Sequence, residues 1–272
     1  MLPFFIFTLL IKANRPVSID VDCCFFDIRT LKMKIALIGY GKMGKTIEKI
    51  ARDRGNTIEL IIDKDNTHDL TAENLAKADV AIDFSIPDTA YANIQKCFEA
   101  NTPVVCGTTG WLDRFDEITN TANNKKKGFF YASNFSLGVN IFFKLNEQLA
   151  KMMSALKDYE VSMEEVHHIH KLDAPSGTAI TLAEGVINNI ESKKDWVLNK
   201  PSSDEHLGIK AIREGEVPGT HRIKYDSEVD FIHIEHVAKS RQGFALGAVL
   251  AAEYMNGKTG FHTMDNLLNL EL

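Results

Sequence analysis

In the stretch Lys34-Ile35-Ala36-Leu37-Ile38-Gly39-Tyr40-Gly41-Lys42-Met43-Gly44-Lys45-Thr46-Ile47, a short apolar strand run feeds a GxGxxG turn. A helical stripe follows through Ile47, Ile50 and Ala51. Glycines at these spacings allow a tight turn, close approach of the backbone to a pyrophosphate and tight packing of helix on strand. A second strand run, Ile58-Glu59-Leu60-Ile61-Ile62-Asp63, ends in an acid about twenty residues past the turn, where a ribose-binding carboxylate belongs. The pattern predicts a β-α-β unit that takes a dinucleotide at Gly39, Gly41, Lys42, Met43, Gly44 and Asp63. Asp63 suits the ribose hydroxyls of NAD, whereas Lys64 together with Lys42 could neutralise the 2′-phosphate of NADP. Either NADPH or NADH is therefore expected to serve.

Two further buried strands are predicted, Asp79-Val80-Ala81-Ile82-Asp83-Phe84-Ser85 and Thr102-Pro103-Val104-Val105-Cys106-Gly107-Thr108-Thr109-Gly110. Ligands of open α/β sheets sit at the carboxyl ends of strands, so Gly107, Thr108 and Thr109 are expected on the nicotinamide side. The β-α-β-α order runs to about residue 132. A helical stretch through Phe142, Phe143, Leu145 and Leu149 then leads into β-type runs between Tyr159 and Gly243. These suggest a mixed or antiparallel sheet that could carry an oligomer interface. The nearly all-apolar stretch Phe244–Met255 reads as a buried helix returning to the nucleotide sheet.

A second cluster carries chemistry: Glu165-Val166-His167-His168-Ile169-His170-Lys171-Leu172-Asp173-Ala174-Pro175-Ser176-Gly177-Thr178. Singly, its histidines could be surface groups and Pro-Ser-Gly-Thr an ordinary helix start. Together they place proton donors, an ammonium and unpartnered helix amides side by side, an environment suited to a small dicarboxylate. Were the strand to continue, His167 and Lys171 would lie about 13 Å apart at ~3.3 Å per residue. The chain is therefore expected to leave the strand near His168 and fold Lys171 back. No metal is expected, because the segment shows no supporting cysteine or carboxylate ligand set and Lys171 would repel a cation.

A net charge of −6 argues against a nucleic-acid surface, and 44% hydrophobic with 25% charged residues is ordinary for a globular enzyme. Cys23, Cys24, Cys97 and Cys106 form neither a metal-type pair nor a disulfide framework, which suggests a reducing, cytoplasmic setting. The apolar run Phe4–Ile11 is too short to span a bilayer and lacks the basic flank of a signal peptide. Residues 1–32 are accordingly expected to lie outside the fold, with Met33 as the true start.

The string His167 to Ala179 resembles the signature of the 4-hydroxy-tetrahydrodipicolinate reductase (dihydrodipicolinate reductase) family. Gly107-Thr108-Thr109-Gly110, Ser133–Asn140, Arg213 with Gly215, Gly219 and His221, and Ser240-Arg241 with Phe244-Ala245 follow in the family's order. The resemblance implies that His167 and Lys171 are proton donors and that His168, Gly177 and Thr178 contact substrate. It places Asp63 and Lys64 at the adenosine ribose, and Gly107, Thr108, Thr109, Ala132, Ser133, Asn134 and Phe135 along the cofactor. The glycine turn is one residue tighter than in many members and carries Lys42 where arginine is common; Ile86 likewise replaces an arginine of some members. Both departures bear on NADP preference.

The expected fold is α/β, a Rossmann-type doubly wound parallel sheet with a second α+β domain on a mixed sheet. The expected division is 33–132 plus 242–272 for the dinucleotide and 133–241 for substrate and oligomerisation. The resemblance implies NAD(P)H-dependent reduction of a small cyclic dicarboxylate in diaminopimelate and lysine biosynthesis, by a cytoplasmic homotetramer. Another imine or amino-acid dehydrogenase of the same architecture would share the Rossmann half without predicting the histidine signature. A non-catalytic NAD(P)-sensing protein would predict loss of the acid, yet His167 and Lys171 are both present.

Overall fold

The computed structural model describes residues 32–270. The expectation for the leader, and Cys23 and Cys24 with it, therefore lies outside the described residues. The chain runs β1 (Lys34–Ile38), α1 (Lys42–Asp53), β2 (Thr57–Ile62), α2 (Ala72–Leu75), β3 (Val80–Asp83), α3 (Pro87–Glu99), β4 (Val104–Cys106), α4 (Phe115–Asn124) and β5 (Gly128–Tyr131). There follow α5 (Leu137–Met153), β6 (Glu160–His167), α6 (Gly177–Ile187), β7 (Asp195–Leu198), β8 (His206–Arg213), β9 (Thr220–Asp226), β10 (Phe231–Val237), α7 (Gln242–Met255), β11 (Gly260–His262) and α8 (Met264–Leu268).

The first sheet has the order β11-β5-β4-β3-β1-β2, and every pairing in it is parallel. Its strands are apolar on both sides because both faces are covered. Ile35, Leu37, Val80, Ile82, Val105 and Phe130 pack under α1 and α7, while the alternate residues Ala36, Ile38, Ala81, Val104, Cys106 and Phe129 join the opposite core with Ile94 and Ile118. The apolar helix α7 does return to this sheet, touching β3, β4 and β5. The order reverses at β1, with β2 on one side and β3 on the other, so a crevice opens at the end of these strands.

The second sheet is mixed, in the order β10-β9-β6-β8-β7, with β9 antiparallel to both β10 and β6, and β8 parallel to both β6 and β7. Among the described residues, helices cover only one face. Val161, Met163, Leu207, Ile209, Ile223 and Tyr225 pack against α5 and α6. On the other face Glu164 pairs with Lys210 at 3.0 Å and Arg222 at 2.6 Å, and Arg222 with Glu235 at 2.5 Å, a charge ladder that follows the strand register. Among the described residues, no helix is long and apolar enough to cross a membrane.

Candidate functional site

The glycine turn is shaped by volume. Gly39 has φ +91°, and a Cβ there would stand 2.3 Å from the Phe84 carbonyl oxygen at the end of β3. A Cβ on Gly44 would stand 2.3 Å from the Gly39 oxygen, whereas one on Gly41 would meet nothing within 4 Å. Helix α1 begins at Lys42 without a side-chain cap. Its first amides and the open space above Gly41 thus form a cradle with positive potential, a fit for a dinucleotide pyrophosphate. Asp63 sits half-buried after β2 and accepts from the Lys64 amide at 2.6 Å; the Lys64 ammonium pairs with Asp65 at 3.0 Å.

A cleft of about 330 Å³ extends from this turn, lined among others by Lys42, Met43, Gly107, Ser133, Asn134 and Phe135. Lys64 is not part of its lining; the second cation there is Arg241, just before α7. Ala132 and Phe135 are buried in the core beneath, Thr109 is exposed, and the Thr108 hydroxyl turns inward to donate to Asp83 at 2.7 Å. Asp83 also accepts from the Ser85 amide and hydroxyl and from Asn93, at 3.0, 2.7 and 2.9 Å. Burial pushes its carboxyl up, and these hydrogen bonds oppose that. The loops after β3 and β4 are thereby tied together beneath the cleft.

A neighbouring cavity of about 440 Å³ shares Lys42 and Arg241 with the first and reaches His168, His170, Glu216 and Pro218. The glycine turn and the histidine segment therefore face adjoining space. The backbone explains how. Strand β6 ends at His167, and the Lys171 amide donates to the His168 carbonyl at 3.1 Å, so the chain turns as its spacing requires. Lys171 is one-fifth exposed and its ammonium is held by both Asp173 oxygens at 2.8 and 2.7 Å. Helix α6 starts at Gly177, with Ser176 as its cap accepting from the Ala179 amide at 3.2 Å. Gly177 is exposed and a Cβ there would meet nothing within 4 Å. Asn134 donates to the Thr178 hydroxyl at 3.2 Å, joining the cofactor-side segment to this helix start.

The expectation that the histidine segment has no supporting carboxylate ligand set is corrected. Glu165 is fully buried, and its Oε2 lies 3.3 Å from His167 Nδ1. It accepts from the Ser176 amide and from Arg213, both at 3.1 Å. Burial alone would push its carboxyl up, but the neighbouring His167 ring and the hydrogen bonds from Ser176 and Arg213 outweigh this and hold it at about 2. His221, opposite Glu165 in the β6–β9 pairing, has Nε2 3.3 Å from the Ser176 hydroxyl. Burial, and then the nearby His167, lower its pKa to about 4.

Glu165, His167 and His221 could offer a cation three ligand atoms within 4.8 Å of one another. Glu165 is already engaged by a guanidinium and an amide, however, and the positive field of Arg213 and Lys171 opposes a second cation. The signal for Glu165 was its i, i+2 spacing to His167, which puts both on one face of a strand. Local spacing contained no comparable signal for His221 or Arg213, which come from other strands.

The family model "Dihydrodipicolinate reductase, N-terminus" matches residues 33–135, and "Dihydrodipicolinate reductase, C-terminus" matches 138–268. A 4-hydroxy-tetrahydrodipicolinate reductase of Christiangramia forsetii is 52% identical over 87% of this chain and 98% of its own. One of Clostridium tetani is 34% identical over 88% of this chain and 98% of its own. Among solved structures, the fold is similar to a dipicolinate-bound dihydrodipicolinate reductase from Paenisporosarcina sp. TG-14, at TM-score 0.70 and 24% identity, covering 86% of this chain and 98% of that one. With both halves of one family's pattern matched in order and a relative similar across nearly its entire length, the chain belongs to the dihydrodipicolinate reductase family.

Proposed function

We propose that the protein reduces 4-hydroxy-tetrahydrodipicolinate to tetrahydrodipicolinate with NADPH or NADH, in diaminopimelate and lysine biosynthesis. The observation that carries this reading is the shared wall of the two cavities: Lys42 and Arg241 border both the space above the glycine turn and the space at the histidine segment. Gly39, Gly41, Lys42, Met43 and Gly44 would hold the pyrophosphate, Asp63 and Lys64 the adenosine ribose. Gly107–Thr109 and Ala132–Phe135 would border the nicotinamide, which supplies hydride when bound in reduced form.

The chain's own residues then have separable tasks. His167 donates the proton that quenches the charge left by hydride addition, the work of a general acid. Lys171 stabilises that charge and a ring carboxylate. Asp173 holds the ammonium, so a substrate carboxylate has to share or displace this partner. His168 and the amides at Gly177 and Thr178 would take the dicarboxylate, as the exposed start of α6 favours.

The same reading makes the protein a cytoplasmic homotetramer with the dinucleotide on 33–132 plus 242–272 and substrate on 133–241. Exposed Phe231, Ile232 and Val237 on the edge strand β10 support contact between copies. The decisive experiment adds freshly prepared substrate to the purified protein and follows nicotinamide absorbance with each cofactor in turn. Substrate-dependent oxidation of at least one is expected; binding of cofactor without turnover would reject the reductase in favour of a sensing role.

A further inference from the structure

We infer that Glu165 is the positioning residue for His167, holding the ring so that Nδ1 keeps its proton and Nε2 is the nitrogen that gives one up. This rests on the reductase reading for its catalytic consequence, but its structural content stands independently. Glu165 is 0% exposed, at the end of the β6 face that is apolar at Val161 and Met163. Its Oε2 faces His167 Nδ1 at 3.3 Å, the Ser176 amide at 3.1 Å and His221 Nε2 at 3.9 Å. Its Oε1 accepts from Arg213 Nη2 at 3.1 Å, and the same Nη2 donates to the Asp173 carbonyl at 2.6 Å. One carboxylate therefore links the imidazole, the cap of α6 and, through Arg213, the loop that carries Lys171.

The chemistry of these partners sets the tautomer. An ionised carboxylate can only accept, so the ring nitrogen turned to it has to be the protonated one. Among the described residues His167 Nδ1 is shielded from solvent and makes no formed hydrogen bond; the Glu165 carboxylate, 3.3 Å away, is the acceptor it faces. A side chain at position 219 would stand 3.1 Å from Nε2, so Gly219 leaves that side of the ring clear. Donation breaks the Nε2–H bond, leaves its electron pair on the ring and forms a bond to the substrate atom that holds the negative charge. The neutral imidazole that remains carries Nδ1–H, the form Glu165 accepts. Removing Arg213 would strand the Glu165 charge in a dry site, so the carboxylate depends on the guanidinium.

Long-range ¹H–¹⁵N spectra of histidine-labelled protein test the tautomer directly, with His167 assigned by the peaks lost in His167→Gln. The neutral ring is expected to show the Nδ1–H pattern; an Nε2–H pattern overturns the proposal. No turnover is needed, so this failure is distinct from failure of the reductase reading. In the assay, Glu165→Gln should lower kcat by on the order of 100-fold with KM for the dicarboxylate and cofactor affinity nearly unchanged. Glu165→Asp should recover part of the loss. Wild-type kcat in Glu165→Gln, or equal losses in kcat, cofactor binding and thermal stability, would overturn the role. Should Glu165→Gln fail to fold, the tautomer of the native protein decides.

Discussion

The two sheets of this protein present their cavity-lining ends in opposite ways. The six-stranded sheet is sealed on both faces by apolar residues, and at its switch point it offers mainly backbone: the glycines of the turn and the free amides of α1. Among the described residues, the five-stranded sheet is covered on one face only, and there its buried side changes from Val161 and Met163 to Glu165 and His167 within one strand. A backbone site of the first kind tolerates many side chains but not added volume. A site built from buried ions tolerates little change in charge, since each member answers for the desolvation of another.

That contrast can be broken or sharpened by substitution. The largest expected effect is in the ionic half: His167→Gln should lower kcat by roughly 100-fold or more with little change in KM, measured by steady-state kinetics on both substrates. An unaltered kcat would remove His167 from the chemistry and leave the two halves alike.

The next effect concerns pH. His221 has its pKa lowered from 6.5 to about 4, so the folded state binds fewer protons than the unfolded one in that interval. Its contribution is intact above 6.5 and is lost as pH falls toward 4, amounting to about 3 kcal/mol at most. Glu165, lowered from 4.5 to about 2, extends the loss in the same direction below 4.5. Melting temperature measured from pH 7 to 4 should fall less steeply in His221→Gln than in the native protein. Equal slopes would mean that His221 titrates normally.

The smallest effects separate two glycines of one turn. Gly44→Ala introduces an atom 2.3 Å from the Gly39 oxygen and should cost about 2 kcal/mol in unfolding free energy. Gly41→Ala, facing open space, should leave melting unchanged and weaken cofactor binding by on the order of tenfold, read by fluorescence titration. If both variants only lost stability, the cradle above Gly41 would not be a ligand site.

Much of this was readable in the chain because it depends on neighbours in sequence. The glycine turn, the apolar runs that became β1, β3 and β4, the returning helix α7 and the end of β6 at His167 all follow from periodicity and turn chemistry over a few residues. The fold-back that brings Lys171 off the strand is equally local. Other features were not. Pairing Lys42 with Lys64 was reasonable from their types, yet Lys42 shares its cleft with Arg241 and Lys64 pairs with Asp65. Thr108 belongs to a strand end that faces the cleft, yet its hydroxyl is committed to Asp83.

Residue order alone specified the two architectures and the position of the histidine-lysine segment, since strand and helix periods and glycine geometry act over one or two turns of chain. The residues gathered around Glu165 and His167 come from elsewhere in the chain. His221 stands opposite Glu165 because β9 runs antiparallel to β6, and Arg213 stands beside His167 because β8 runs parallel to it. Strand register, and the exclusion of water from the face beneath α6, convert an ordinary glutamate into a charged anchor; neither exists until the sheet has assembled.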